Sequence, residues 1–251
     1  MDLISIVVML FIGVFGGFLS GLVGIGGAII IYPAILILPP LFGAPNYSAY
    51  IASGLTSSQV FFSTLSGSLK ARKKPEFSPK LVINMGGGMI VGSVLGAFSA
   101  NLFNGLFINT VYIIIALLAL ILLFIKVKPS PKNDKNKPLL LIIIGFIIGI
   151  ISGIVGAGGA FIIIPILLVV FKLPMNKVVA NSIVIAFLSS IGAFTIKLIQ
   201  GYVPIEDALF LIIGSIIFAP LGLKFGRKIP DNIQKWIISI LIILAVIKLL
   251  I

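Results

Sequence analysis

Residues 13–28 read GVFGGFLSGLVGIGGA, and residues 145–160 read GFIIGIISGIVGAGGA. Shifted by 132 positions, Gly13, Gly17, Ser20, Gly21, Gly24, Gly26, Gly27, Ala28 and Pro33 fall on Gly145, Gly149, Ser152, Gly153, Gly156, Gly158, Gly159, Ala160 and Pro165. Shared apolar composition does not produce that register. The correspondence continues more weakly downstream. Ala52-Ser53-Gly54 aligns with Ala180-Asn181-Ser182, and Gly88, Leu95 and Gly96 align with Gly214, Leu221 and Gly222. The chain therefore reads as a duplication: a first repeat over 1–127, a basic linker over 128–138 and a second repeat over 139–251, within one membrane domain.

The solvent of this duplicated unit is lipid. Of 251 residues, 60% are hydrophobic and 10% charged, against about 25% charged in a soluble domain; the mean hydropathy is +1.31. Residues 4–62 contain no charge. The N-terminal run lacks a basic leader and flows into the repeated motif, so it is expected to belong to the mature fold. A net charge of +12 would suggest nucleic acid in a soluble chain. Here the Lys and Arg lie in short loops between apolar runs, where they set orientation, so no nucleic-acid partner is expected. Cysteine and histidine are absent. That excludes disulfides, catalysis by either residue and their metal or haem ligation, and no cofactor is implied.

Each repeat divides into four apolar segments, giving an all-α, 4+4 integral membrane fold. They cover about 4–38, 47–69, 79–103 and 106–126, then 139–171, 177–200, 205–226 and 232–251, separated by Pro-, Gly- and Asn-rich turns. The first segment of each repeat is too long. A helix of 33–35 residues would measure about 50 Å against a hydrocarbon core of about 30 Å. Its middle holds three glycines in four positions followed by a proline, a combination that breaks helices. The segment is thus either a long kinked span or a re-entrant pair of half-helices. If all eight segments cross, the basic residues divide 12 against 6; if the first of each repeat turns back, they divide 16 against 2. The sharper division favours inverted repeats, basic loops in the cytoplasm and both termini outside.

A glycine-rich break inside a bilayer is tolerated only where protein or a polar cavity receives its backbone groups. The N-terminal ends of the following half-helices carry partial positive charge and free N–H groups suited to an anion. Gly24, Gly26, Gly27 and Ala28, with Gly156, Gly158, Gly159 and Ala160, are therefore candidate substrate-binding residues. Gly13/Gly17/Gly21 and Gly145/Gly149/Gly153 instead have the i, i+4, i+8 spacing of close helix packing. The next segment adds Ser53, Thr56, Ser57, Ser58 and Gln59, and in the copy Asn181, Ser182, Ser189 and Ser190. Ser53, Thr56, Ser57, Asn181 and Ser182 join the candidate site, although such hydroxyls also bond their own helix. All six acids lie near segment ends, so no proton-relay carboxylate is visible. Lys70 and Lys197 sit near helix ends and are expected to snorkel, with Lys197 also able to attract an anion.

The duplicated Gly-rich motif ending in Pro, the Ala-x-Ser/Asn segment after it and the 4+4 layout near 250 residues resemble the sulfite exporter TauE/SafE family of membrane transporters. The resemblance spans essentially the whole chain. It implies transport of small sulfur-containing anions, such as sulfite and organosulfonates, across the cytoplasmic membrane. Ala157 in place of Ile25, and Asn181 in place of Ser53, are positions that could tune the substrate. The expectation is a secondary transporter for a small anion, with a passive anion channel as the alternative and H+ or Na+ as conceivable coupling ions. An intramembrane enzyme is disfavoured, since His, Cys, interior acids and a Ser/Lys pair are all missing.

Overall fold

In a computed structural model, residues 3–23, 27–125, 138–226 and 228–250 are described, and every regular element among them is helical. The helices are α1 (Leu3–Val23), α2 (Ala28–Leu41), α3 (Ala49–Ala71), α4 (Pro79–Ser99, continued by a short 3-10 turn), α5 (Gly105–Phe124), α6 (Pro138–Val155), α7 (Ala160–Val169), α8 (Met175–Ile199), α9 (Ile205–Gly226) and α10 (Asp231–Leu250). Six are long and apolar enough to cross a bilayer: α1, α4, α5, α6, α8 and α9. Their lipid-length apolar faces carry large exposed side chains such as Phe11, Phe98, Ile121, Ile143 and Ile217. The 23-residue α3 is not among them, because its sequence is rich in Ser and Thr and most of it is buried inside the protein. Of the linker at 128–138, all but Pro138 lies outside the described residues, and Pro138 opens α6.

Glycine stripes bring the long helices into backbone contact. A Cβ on Gly13, Gly17 or Gly21 would overlap the backbone of Leu211, Ser215 or Ala219; one on Gly145, Gly149 or Gly153 would overlap Met85, Met89 or Ser93. Numbers rise together in both series. Hence α1 lies parallel to α9, and α6 parallel to α4, each pair at the close approach that only glycine permits. The Ser215 hydroxyl adds a bond of 3.1 Å to the Gly13 carbonyl.

Other contacts set the remaining directions. Ser20 and Ser63 hydroxyls meet at 3.3 Å and Gly16 faces Gln59, so α3 runs with α1. The Ser66 hydroxyl donates to the Ile216 carbonyl and Gly54 abuts Tyr202, so α3 also runs with α9. Gly86 meets Leu188 and the Gln200 amide donates to the Ala97 carbonyl, so α8 runs with α4. Across the centre, Gly67 meets Ile183 while Phe61 stacks on Phe194 at 5.0 Å, so α3 and α8 are antiparallel. Helices α1, α3 and α9 thus point one way, and α4, α6 and α8 the other.

Because α1 and α3 point the same way, the chain must return between them, and α2 is that return. Gly27 packs on Gly16 and Ser20, Ile31 on Gly16, and Leu38 and Phe42 share a groove with Leu3, Val7 and Phe11 at the start of α1. The same constraint between α6 and α8 falls on α7. Its ten residues rise about 15 Å, half a hydrocarbon core. Helix α2 carries Pro33, so the Ile29 carbonyl has no N–H four residues on. The buried Tyr112 hydroxyl of α5 donates to that carbonyl instead. Beside it the Tyr32 hydroxyl donates to Asn109 at 2.6 Å, and the two rings stack at 5.0 Å.

Candidate functional site

Both returning half-helices begin on a left-handed glycine. Gly27 (φ 75°) caps α2 and Gly159 (φ 64°) caps α7, and neither helix start has a side-chain cap. The first-turn N–H groups therefore lack the acceptor that Ser, Thr or Asp would supply. Gly156 (φ 77°) and Gly158 (φ 60°) complete the second break in the same conformation, which L side chains rarely adopt. Gly24 and Gly26 lie outside the described residues. Ala28 is fully buried at the start of α2, and Ala160 opens α7.

The second break presses on α3 from its first turns to its middle, and on the middle of α8. A Cβ on Gly156 would overlap the Ser53 carbonyl, and one on Gly158 would lie 2.8 Å from Val60 Cγ1 and 3.6 Å from the Ala186 carbonyl and Ser190 Cβ. On the neighbouring side of α3, Gln59 Nε2 lies 3.8 Å from the Cβ position of Gly16, the residue on which Gly27 packs. Adjacent residues of one buried helix, Gln59 and Val60, thus face the two different hairpins.

The hydroxyls of this region divide sharply. Ser53, Thr56, Ser57 and Ser58 donate at 2.7 Å to the carbonyls of Tyr50, Ala52, Gly54 and Leu55, each a turn earlier in α3. Ser190 does the same to Phe187, and Ser182 donates to Val179 at 3.4 Å. Their protons are committed to their own helix, which leaves lone pairs facing outward. Asn181 is also occupied. Its Oδ1 accepts from the Ser78 N–H at 2.8 Å, and its Nδ2 donates to the carbonyls of Glu76 and Lys177. It ties the α3–α4 loop to the start of α8, a duty that Ser53 does not share.

Two central side chains have no such commitment. Gln59 is 0% exposed, with Nε2 and Oε1 both unpartnered, and Ser189 Oγ is buried without a partner. An unsatisfied buried polar group costs about 1–3 kcal/mol, which makes Gln59 a candidate ligand contact. Both residues stand in the polar runs of the sequence. A glutamine amide is too far from its own backbone to bond it as the α3 serines do, so its partners depend on what packs against it. A cavity of about 320 Å3 lies at the end of the molecule that holds Lys74 and Glu76, bordered by Leu22 before the first break and by Met175, Asn176 and Leu223.

Lys197 departs from its expected place. Lys70 is exposed, as a snorkelling lysine should be, but Lys197 is 0% exposed and its ammonium has no hydrogen-bond partner. Tyr202, Tyr50 and the turn after α8 cover the direction in which it would have snorkelled.

Glycine-broken helix pairs around a buried polar centre, framed by six helices able to span a bilayer, define a multi-pass integral membrane protein of transporter type. Residues 9–249 match the family model described as Sulfite exporter TauE/SafE, and the chain belongs to this family of membrane transporters. The probable membrane transporter protein YunE of Bacillus subtilis is 27% identical over 96% of this chain and 95% of its own length. A probable membrane transporter protein of Methanocaldococcus jannaschii is 29% identical, over 99% of this chain and 97% of its own. A further relative, YdhB of Bacillus subtilis, bears the same description and is 26% identical over 93% and 94%. No solved structure matches the chain.

Proposed function

We propose that this protein is a secondary transporter for a small anion, a sulfur oxyanion or organosulfonate of the sulfite kind, in the cytoplasmic membrane. The observation that carries the reading is Gln59: a buried amide with no protein partner that faces the first hairpin, while the adjacent Val60 faces the second, and both returning half-helices start on uncapped glycines. Half-helix N-termini and an amide donor suit an oxyanion, and glycine lets the ligand reach the backbone. The description of the matching family, sulfite exporter, points to the same substrate class. The anion rests on Gly24, Gly26, Gly27, Ala28, Gly156, Gly158, Gly159 and Ala160, with Gln59 and Ser189 as side-chain donors. Ser53, Thr56, Ser57, Asn181 and Ser182 shape the walls.

The two repeats, 1–127 and 139–251, are inverted with respect to each other, and the first segment of each is re-entrant. The opposed directions of α1, α3 and α9 against α4, α6 and α8 support this arrangement. So does the collection of basic loops at one end, which we place in the cytoplasm with both termini outside. Alternating access then follows from rocking one repeat on the other around the fixed centre.

The test is transport by the purified protein in liposomes, offered sulfite, thiosulfate, sulfate and short sulfonates with and without proton or sodium gradients. Uphill accumulation of one anion, abolished by Gly158→Leu without loss of membrane insertion, is the expected result. Flux that only dissipates a gradient would make the protein a channel, and full activity in Gly158→Leu would remove the site.

A further inference from the structure

Lys197 is a buried cation that the central site leaves unexplained. It occupies the last turn of α8, at the end opposite the 320 Å3 cavity. Its ammonium is buried without a partner, and the Tyr202 ring centroid lies 5.5 Å away. Tyr202 stacks on Tyr50 at 5.3 Å, and the Tyr50 hydroxyl donates to the Phe103 carbonyl. Gln200, a turn further on, donates to Ala97 and leaves Oε1 buried and unpartnered. Among the described residues, the carboxylates of this end lie elsewhere: Glu206 is exposed, and the Asp207 carboxylate accepts from the Tyr47 hydroxyl.

A lysine at a helix C-terminus is ordinarily a favourable placement, and an aromatic face adds to it. Both effects are small beside the desolvation of an isolated ammonium, which is sustained in proteins by a counter-charge. The clasp over Lys197 is also a joint between the two halves, since Tyr50 begins α3 and Tyr202 follows α8. At the other end the two halves both border the 320 Å3 cavity, Leu22, Lys74 and Glu76 from the first and Met175, Asn176 and Leu223 from the second. The lysine-rich end holds this cavity, and the Lys197 end is sealed by the Tyr50–Tyr202 pair.

We infer that Lys197 is a second anion-binding station, distinct from the glycine-lined centre, which takes the transported oxyanion or sulfonate at the sealed end when the Tyr50–Tyr202 clasp parts. The inference rests on the anion-transport reading above. A cation in this place draws an anion toward the centre from the face that carries almost no other basic residue, and closure of the tyrosines over it excludes water.

The experiment is sided transport kinetics of sulfite and methanesulfonate in proteoliposomes of the full chain. Lys197→Met should raise KM at least tenfold for anion presented on the Lys197 side, while KM from the other side stays within about twofold. A second variant guards against a merely structural role. The natural chain has no cysteine, so Lys197→Cys can be modified with an aminoethyl thiosulfonate, which restores an ammonium, or with a neutral analogue of equal size. Recovery of the low KM by the aminoethyl group alone is expected. Unchanged KM in Lys197→Met, or equal recovery by both reagents, would overturn the second station. Absence of anion transport by the unsubstituted protein would instead sink the reading on which it rests.

Discussion

Replacing Gln59 by Met tests the central site through stability, because the polar atoms that would bind substrate are a burden in its absence. Met keeps a similar length and removes both orphaned groups. Two buried groups at about 1 kcal/mol each, the low end of the range, predict that Gln59→Met stabilises the ligand-free protein by about 2 kcal/mol. At 2–4 °C per kcal/mol for a chain of this size, Tm should rise by about 4–8 °C. The effect of ligand runs the other way. Anion at a hundredfold excess over Kd stabilises the unsubstituted protein by about 2.7 kcal/mol, and Gln59→Met should lose most of that increment. Thermal unfolding in detergent, followed by intrinsic fluorescence across a sulfite titration, reads both. The mutant starts higher, and the unsubstituted protein overtakes it as anion is added. A Gln59→Met protein less stable than its parent in anion-free buffer would show that the amide has partners in the ligand-free state. Retention of the full anion-dependent shift would show that the amide does not touch the ligand.

Three further substitutions and one labelling experiment probe the frame around this site. Tyr112→Phe deprives the Ile29 carbonyl of the donor that replaces the missing Pro33 N–H, and should lower stability by about 1–3 kcal/mol in the same unfolding assay. Gly21→Leu drives a side chain into the Ala219 carbonyl and should leave no monodisperse protein on size exclusion. Gly87→Ala, at a helical glycine with nothing within 4 Å of its Cβ position, should stabilise by about 0.5–1 kcal/mol. Cysteines introduced singly at Lys73, Lys228 and Asn101 should react with an impermeant thiol reagent in opposite senses, the first two from one face of the membrane and the third from the other. Labelling of all three from one face would refute the helix directions.

The composition and spacing of the chain determined a good deal alone. Lipid as solvent follows from the charge-free run at residues 4–62. The interruption of the first segment at Gly27 and of its copy at Gly156–Gly159 follows from backbone preferences that act within a few residues. The packing role of Gly13, Gly17 and Gly21 was equally legible, since i, i+4 spacing puts all three on one helix face. Even the commitment of the Ser53, Thr56 and Ser57 protons is local, because each acceptor sits three or four residues back on the same helix. What the chain could not reveal by itself depends on partners far away in sequence. Helix α2 folds back because α3 is held parallel to α1 by contacts at Gly16, Ser20, Gln59 and Ser63. Asn181 is bound to the loop at Glu76–Ser78, more than a hundred residues earlier, so its likeness to Ser53 in the repeat does not extend to its bonds. Ser58 bonds its own helix, whereas a partner for Gln59, and the burial that separates Lys197 from Lys70, depend on what the rest of the fold places around them. Burial of a polar atom, and the presence or absence of a partner within 3 Å of it, is a property of packing. That is why the glycine breaks could be read from the sequence, while the two unpartnered groups beside them emerged only from the tertiary structure.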